Sequence, residues 1–206
     1  MNRRLMMAQQ AKKKLPADYT ELAYIIARGP YNGVWFDTGV YADGYTGARY
    51  KYSQSEAKPY GAYVLSGSGF SAFPFFRNNA GGEIFINRNK MLLIKRSFDI
   101  NTAYEFLIDK KGDVYLDDEF LISIGNETSG DPHKSTVKFG TYFGDVSNGA
   151  YHLCGNIYFC QIFQNGEIVR DFVPCINPKG IAGMYDLVEG KFYQGANKHF
   201  DAGEVA

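Results

Sequence analysis

The chain has 206 residues, in which 22 Lys and Arg balance 22 Asp and Glu, and it contains 16 Tyr, 16 Phe and 23 Gly but a single Trp. This length fits one domain that can bury its core without disulfide or metal staples. Many aromatic and many turn-forming residues together favour strands over helices, so an all-β fold is predicted. No run of 18 apolar residues occurs, and no membrane insertion is expected.

The charges are unevenly placed along the chain. Five basic residues precede the first acidic residue, Asp18, and they are Arg3, Arg4, Lys12, Lys13 and Lys14. The remaining body has 17 basic against 22 acidic residues, a net charge of about −5, and a body of that sign binds nucleic acid poorly. Residues 1–15 contain no Gly, which predicts a helical or extended arm. Leu15-Pro16 ends the arm, because a residue before proline resists the α conformation, and a domain over residues 16–206 follows. The apolar segment LMMA of the arm is too short for the core of a signal peptide. The basic charge of the arm is suited to contact with an acidic surface of nucleic acid, membrane or protein.

From Tyr19 onward, short apolar segments alternate with turns roughly every ten residues, a spacing typical of a β-sandwich. Asn165-Gly166 predicts a type I′ hairpin, because both central positions of that turn need positive φ. IYFCQIF is apolar on both faces, which predicts a strand in the middle of the fold. The predicted strands are TELAYII, GVWFDTGV, ARYKYS, AYVLSG, AFPFF, EIFINR, KMLLIK, AYEFLID, DVYLDDE, FLISI, KFGTYFG, NIYFCQIF, EIVRDFV and GKFY.

Carboxylates at alternate positions of DVYLDDEF raise the question of catalysis. Asp113, Asp117 and Glu119 would lie along one face of an extended strand, and retaining glycosidases use two carboxylates about 5 Å apart. However, Lys111-Gly112 and Asp117-Asp118 sit where turns belong. A meander of three short strands accounts for every polar position, so Asp117 is predicted to be a turn residue and no catalytic residue is expected.

The cysteines and histidines show no metal-binding spacing. Cys154, Cys160 and Cys175 are odd in number and contain no C-x-x-C pair, so free buried thiols and assembly in a reducing cytosol are expected. His133, His152 and His199 are widely separated. The sequence therefore gives no support for a histidine-based metal centre.

Three long polar loops are the best candidates for a ligand site: residues 41–48, 53–62 and 125–135. Apolar sugar faces stack on exposed aromatic rings, and Asp and Asn side chains hydrogen-bond sugar hydroxyls. The candidate carbohydrate-binding residues are Asp43, Tyr45, Tyr60, Asn126, Asp131 and His133. The oxygen atoms of Asp43, Asn126 and Asp131 could equally ligate a structural calcium ion, and no other cofactor is expected.

The segment IVRDFVP places two opposite charges side by side in an apolar strand. Neighbours in a strand point to opposite faces, so Arg170 and Asp171 cannot pair unless a bulge intervenes. Each needs its own partner, because a buried unpaired charge costs several kcal/mol. Asp186, Glu189 and Lys191 are near in sequence, and the backbone amides of PCINPKG suit Asp171. Arg170, Asp171 and Asp186 are therefore predicted to be structural, with Arg170 and Asp171 tying the last hairpin to that loop.

The two ends of the chain resemble a known group. LPADYTELAYIIARGPYNGVWFDTGV is similar to the opening L-P-x-x-Y-x-x-L-x-Y-I-x-x-x-G-x-x-x-I-D-T-G of many phage and prophage structural proteins of gut bacteria. IYFCQIFQNGEIVRDFVP and GMYDLVEGKFY resemble their ending, I-Y-x-x-x-I-x-x-x-G-x-x-V-R-D-F-V-P followed by G-x-Y-D-L-V-x-x-K-F-Y. These proteins are concanavalin A-like, laminin G-like jelly-roll domains, and the resemblance covers roughly residues 15–203.

This resemblance implies a two-sheet antiparallel jelly-roll sandwich in a virion protein of a tail, fibre or surface appendage, assembled in the cytoplasm of a bacterial host. Residues 1–15 would contact other virion proteins, a symmetric homo-oligomer is expected, and the domain would bind a host glycan by analogy of fold. No catalytic residues carry over from the family. The alternatives are a glycan-cleaving enzyme that uses Asp113, Asp117 or Glu119, and a purely architectural capsid or tail decoration protein.

Overall fold

The computed structural model describes residues 14–28, 34–43, 45–55, 64–66, 74–77, 83–87, 91–95, 99–125, 136–140, 153–196 and 199–206. Within these ranges the chain forms seventeen strands and no helix, and every strand pair is antiparallel. The predicted all-β class is confirmed. No helix suited to crossing a lipid bilayer occurs among these residues. The predicted arm, apart from Lys14 and Leu15, lies outside them.

Eleven strands of the described chain form one main sheet. They are β1 (Thr20–Glu21), β2 (Ile25–Ala27), β4 (Thr46–Gln54), β9 (Ala103–Ile108), β10 (Asp113–Leu116), β11 (Glu119–Ser123), β13 (Gly155–Gln164), β14 (Glu167–Ile176), β15 (Ala182–Asp186), β16 (Lys191–Tyr193) and β17 (Asp201–Ala202). The order across the sheet is β11-β10-β9-β4-β13-β14-β15-β16.

Two smaller sheets complete the described strands. The second sheet has the order β3-β12-β5, from β3 (Phe36–Tyr41), β12 (Thr136–Phe139) and β5 (Leu65–Ser66). The third sheet is β6-β7-β8, from β6 (Pro74–Arg77), β7 (Glu83–Asn87) and β8 (Met91–Lys95). Most of these strands overlap segments that the alternation of apolar and polar residues predicts.

The hairpin of β13 and β14 forms the centre of the main sheet. Asn165 and Gly166 have φ of 54° and 93°, and Gln164 pairs with Glu167, so the predicted tight turn is confirmed. β13 pairs with β4 along one edge and with β14 and β2 along the other. This position, flanked by strands on both sides, is the one predicted from the apolar residues on both faces of IYFCQIF.

The N-terminal segment fills the space where β13 and β14 separate, past the pair of Cys160 and Phe172. β2 pairs with residues 155–157 of β13, while β1 pairs with residues 175–176 of β14. TELAYII is therefore two short strands, not the single strand that was predicted. The C-terminal segment lies alongside, since β17 pairs with β2 and Leu22 forms a bridge to Val205.

The main sheet and the second sheet share one hydrophobic core. Phe36 of β3 packs edge to face on Phe172 of β14, with ring centroids 5.2 Å apart, and lies 5.2 Å from Tyr193 of β16. Phe139 of β12 stacks on Phe36 at 4.9 Å. Aromatic pairs at these separations stabilise a core beyond the area that they bury. The contacts fix β3 over β14 to β16, and this arrangement positions the charged side chains described next.

Two strands of the main sheet, β15 and β17, are absent from the prediction. β15 occupies AGMYD and pairs with β14 and β16. Its Gly183 weakens a sequence pattern for a strand, because glycine is depleted there. A Cβ at this position would lie 2.4 Å from the carbonyl oxygen of Tyr193, so the close approach of β16 requires glycine.

Candidate functional site

Arg170 lies on the inner face of the main sheet. Phe172, two residues further along β14, is fully buried, and alternate residues of a strand share a face. Arg170 also pairs with Ile162, which is fully buried. A β-bulge lies next to this pair, because Phe163 pairs with Ile168 and Val169 is an extra residue on β14.

The guanidinium of Arg170 joins three segments of the chain. Its Nε donates to the carbonyl oxygen of Thr38 at 3.0 Å and lies 3.4 Å from Oδ2 of Asp186. Its Nη1 donates to the carbonyl oxygen of Val169 at 2.7 Å, and Nη2 lies 3.7 Å from Oε2 of Glu189. Because the side chain is 19% exposed, these partners replace most of its water. Asp186 and Glu189 are two of the three residues that the sequence offers as neighbours.

Asp186 is a fully buried carboxylate that holds the end of β15. Its Oδ1 accepts hydrogen bonds from the amides of Asp171 at 2.9 Å and Val188 at 3.0 Å. Within the described chain, Oδ2 has no hydrogen bond, and Arg170 is the charge that faces it. A buried carboxylate without a compensating cation would be strongly destabilising. Arg170 and Asp186 therefore form one structural unit.

Glu189 and Tyr193 extend this cluster toward solvent. The hydroxyl of Tyr193 donates to Oε2 of Glu189. That hydrogen bond, with the charges of Arg170 and Lys191, lowers the pKa of Glu189 against the opposing effect of burial. Burial and the bond to Glu189 raise the pKa of Tyr193. The carboxylate of Glu189 is thus held ionised beside Arg170. An ionised carboxylate has no proton to donate, so Glu189 is unsuited to act as a general acid.

Asp171 lies on the outer face of the main sheet and has a different kind of partner. Its Oδ1 accepts a hydrogen bond from Nε2 of Gln161 at 3.0 Å, across the β13–β14 pair. In the PCINPKG loop, Oδ1 of Asn177 accepts from the amides of Lys179 at 2.9 Å and Ile181 at 3.0 Å. Asn177 therefore organises this loop, and the role predicted for Asp171 there stays a prediction. An Asn that opens N-P-K-G is the turn signal that could have identified the role of Asn177.

The turn between β3 and β4 holds two of the six candidate carbohydrate-binding residues. Oδ1 of Asp43 accepts from the amide of Tyr45 at 2.9 Å and from Oγ1 of Thr46 at 2.8 Å. The amide of Asp43 donates in return to Oγ1 of Thr46 at 2.8 Å. These bonds use one carboxylate oxygen of Asp43 to order the turn, and we assign Asp43 a positioning role.

Two tyrosines project from this ordered turn. Tyr45 is 54% exposed, and Tyr41, which the sequence analysis did not single out, is 49% exposed. Nε2 of Gln164 donates to the carbonyl oxygen of Tyr41 at 2.8 Å and attaches the turn to the central hairpin. Exposed rings on a backbone fixed in this way are suited to stacking on an apolar face of a ligand.

The other four candidates, Tyr60, Asn126, Asp131 and His133, lie outside the described residues. The calcium ligands proposed from the sequence include two of these, so that expectation stays a prediction. In the part of the chain that the structure describes, no group of three or more His, Cys, Asp or Glu side chains is placed to hold a metal ion. His199 is exposed.

The carboxylates of DVYLDDEF do not line one strand. β9, β10 and β11 form the predicted meander, and Asp117 and Asp118 have φ of 48° and 67° in the turn between β10 and β11. Oδ1 of Asp117 accepts from the amide of Glu105 at 2.9 Å. The prediction that Asp117 is a turn residue is confirmed, and Asp113 and Glu119 lie on successive strands.

The three cysteines are free and buried, as predicted. Burial raises the pKa of Cys160 well above its ordinary value. Burial, with a contribution from the charge of Glu21, raises the pKa of Cys175 to about 12. Sγ of Cys154 lies 3.4 Å from Oγ of Ser55. Because the thiolate is the reactive form, Cys160 and Cys175 are poor nucleophiles in the folded protein.

The tyrosine-bearing turn and the N-terminal segment lie at opposite ends of the main sheet. Thr46, directly after Tyr45, pairs with Gln164 beside the β13–β14 turn. Glu21 of the N-terminal segment pairs with Cys175. Because Val169 is an extra residue in the bulge, Glu167 and Cys175 are about seven strand steps apart on β14, which is roughly 23 Å at about 3.3 Å per residue. The arm therefore joins the domain at the end of the sheet far from Tyr41 and Tyr45.

A scan against protein-family models and a search of curated proteins found no match to the chain.

Proposed function

We propose that this chain is a non-enzymatic structural protein of a phage virion, located in a tail, fibre or surface appendage, which binds host-surface or mucus carbohydrate. The proposal includes a concanavalin A-like jelly-roll sandwich as the fold. It is supported by the motifs at the two ends of the chain and by two antiparallel sheets that share one aromatic core.

The observation that carries the binding function is the pair of exposed tyrosines, Tyr41 and Tyr45, on a hydrogen-bonded turn. A sugar ring presents an apolar face of C–H groups, which stacks on an aromatic ring. Asp43 and Gln164 hold the backbone of the turn before a ligand arrives. Less conformational entropy is then lost on binding than with a flexible loop.

The placement of the arm supports anchoring at one end and binding at the other. Residues 1–15 carry five basic residues and precede β1, which pairs with β14 at the end of the sheet opposite to the tyrosine-bearing turn. A basic arm that docks to another virion protein at that end leaves the tyrosine-bearing turn free to bind a ligand. Assembly into a symmetric oligomer would present several turns together and raise the avidity for a repeating glycan.

The non-enzymatic assignment is supported by the carboxylates. Asp117 takes part in a turn, and Asp186 and Glu189 share the charge of Arg170. A glycosidase needs one carboxylic acid whose pKa is raised so that it can donate a proton. The pKa of Glu189 is lowered, mainly by the hydrogen bond from Tyr193, which is the opposite of what a general acid requires.

The test is a broad glycan array with the purified full chain, followed by calorimetry on the glycans that bind. Tyr41→Ala and Tyr45→Ala are expected to weaken binding by up to about tenfold each, the range of one aromatic contact. Phe120→Ala is the matched control, because Phe120 is also 54% exposed but lies on β11 next to the distant Asp117-Asp118 turn. Absence of binding on the array, or equal losses in all three variants, would overturn the proposal.

A further inference from the structure

A second β-bulge places two adjacent aromatic rings on the outer face of the main sheet. Ile157 pairs with Tyr52 and Phe159 pairs with Lys51, so Tyr158 is an extra residue on β13. Ile157 and Cys160, on either side, are fully buried, whereas Tyr158 and Phe159 are half-buried. In a regular strand one of the two rings would enter the core. Bulges re-aim side chains in this way and are common beside functional sites.

The neighbouring strand places a cation against each ring. Arg49 and Lys51 are two residues apart on β4 and therefore share the outer face. Nζ of Lys51 lies 5.5 Å from the ring centroid of Tyr158, and Cζ of Arg49 lies 5.7 Å from that of Phe159. Tyr24 adds a third ring, 5.5 Å from Tyr158. We call Tyr24, Arg49, Lys51, Tyr158 and Phe159 the outer aromatic patch.

The charges of this patch are only partly compensated. Nε of Arg49 donates to Oε1 of Glu105 at 2.6 Å. No carboxylate of the described chain forms an ion pair with Lys51. Glu204 lies beside Tyr24, so Glu105 and Glu204 equal the two cations of the patch in number, and Lys51 is the cation without an ion-pair partner among the described residues. The ammonium of Lys51 is therefore the group that can pair with an anionic ligand.

We propose that the outer aromatic patch binds a glycan that carries carboxylate groups, such as a chain of uronic acids. The apolar face of one sugar ring stacks on Tyr158 or Phe159, and the sugar carboxylate accepts a hydrogen bond from Nζ of Lys51. The patch is a different surface from the Tyr41–Tyr45 turn, and it extends the proposed function by the chemical class of a second ligand.

The surroundings favour a sugar over a protein partner. The core of a protein interface is depleted of charged residues, but here a charged side chain lies against each ring. Gln161 and Glu105 add amide and carboxylate groups on the same face, where they can hydrogen-bond hydroxyls. A ligand with both C–H faces and many hydroxyls satisfies this mixture of groups better than an acidic peptide does.

The experiment compares galacturonic acid oligomers with galactose oligomers of the same length, by calorimetry on the full chain at low and at physiological salt. The acidic oligomer is expected to bind about tenfold more tightly at low salt, and salt should reduce that preference. Lys51→Met should remove the preference and Lys51→Arg should retain it. Phe159→Ala should weaken both oligomers, with unfolding curves checked for each variant.

Two controls separate this proposal from the proposed function. Tyr45→Ala should leave the preference for the acidic oligomer unchanged, even if it abolishes binding of other glycans. Loss of the preference in Tyr45→Ala but not in Lys51→Met would assign the acidic ligand to the turn and overturn the proposal. Equal affinity for both oligomers, or equally tight binding of a poly-glutamate peptide of the same charge, would also overturn it.

Discussion

Nε of Arg170 lies 3.0 Å from the carbonyl oxygen of Thr38, and this hydrogen bond joins β14 of the main sheet to β3 of the second sheet. The same guanidinium neutralises Asp186, which is fully buried. The adjacent charges of IVRDFVP therefore have separate structural roles, since Arg170 connects the sheets and Asp171 bonds to Gln161 on the outer face.

Replacing Arg170 by methionine is expected to lower the free energy of unfolding by about 3–5 kcal/mol. The substitution leaves the buried carboxylate of Asp186 without a cation and removes the bond to Thr38. Urea unfolding followed by the fluorescence of Trp35, the single tryptophan, measures the change.

The double variant Arg170→Met/Asp186→Asn separates the charge from the packing. The amide that replaces the carboxylate of Asp186 would keep an acceptor for the backbone N–H groups of Asp171 and Val188 but would carry no charge. The double variant is expected to be more stable than Arg170→Met alone, which is the signature of a coupled pair. If the two are equally unstable, compensation of Asp186 by Arg170 is not the reason for the loss.

Asp171→Ala is expected to cost much less, about 1 kcal/mol. Its carboxylate accepts a hydrogen bond from Gln161 on a half-buried surface, and such a bond contributes about 0.5–1.5 kcal/mol. Thermal unfolding of Asp171→Ala beside the wild type checks this, and glycan binding should not change. Equal melting temperatures would contradict a structural role for Asp171.

The local patterns of the chain predicted most strands but neither bulge. Short apolar segments between turns identified β9 and most other strands, and Asn165-Gly166 identified the central hairpin. The extra residues Val169 and Tyr158 are defined only by the register of the neighbouring strands, which a single strand does not encode. The bulge at Tyr158 decides which rings face outward, so strict alternation could not predict that patch. Alternation does place Arg170 and Asp171 on opposite faces, as the structure has them.

The candidate site was predictable to a similar extent. Tyr45 was predicted because turn residues with aromatic rings are suited to ligands, whereas Tyr41, in the same candidate loop of residues 41–48, was not among the predicted residues. Asp186 and Glu189 were correctly placed near Arg170, because a buried cation requires local anions. The role of Asn177 in its loop was not predicted, because the prediction considered charged side chains and Asn177 is neutral.

The central hairpin gives a prediction about backbone conformation. Asn165 has φ of 54°, a region that asparagine and glycine tolerate but β-branched residues avoid. Asn165→Gly should leave stability nearly unchanged, while Asn165→Val should lower it by about 1–3 kcal/mol. Urea unfolding of the two variants measures the difference, and equal stability would mean that the turn is not constrained to positive φ.

The cysteines are expected to be unreactive in the folded protein. Cys154 is 7% exposed, and Cys160 and Cys175 are fully buried. A colorimetric disulfide reagent at neutral pH should therefore label no thiol in the native protein and three in denaturant. Rapid labelling of one thiol under native conditions would show that the packing around it opens readily.

Stability is expected to fall in alkaline solution because several buried acids have raised pKa values. Burial raises the pKa of Cys175 from 9.0 to about 12, and burial also raises the pKa of Cys160 and of Tyr50 from their ordinary 9.0 and 10.0. A raised pKa in the folded state means that stability is complete below the unfolded pKa and declines as pH rises toward the folded one. The decline should therefore begin near pH 9 and steepen above pH 10, with a slope of about 1.4 kcal/mol per pH unit for each such group.

Urea unfolding at a series of pH values measures this decline in the free energy of unfolding. Cys175→Ala should show a shallower slope from pH 9 to 10 than the wild type. A free energy of unfolding that stays constant up to pH 11 would mean that these groups ionise as easily in the folded protein as in the unfolded chain.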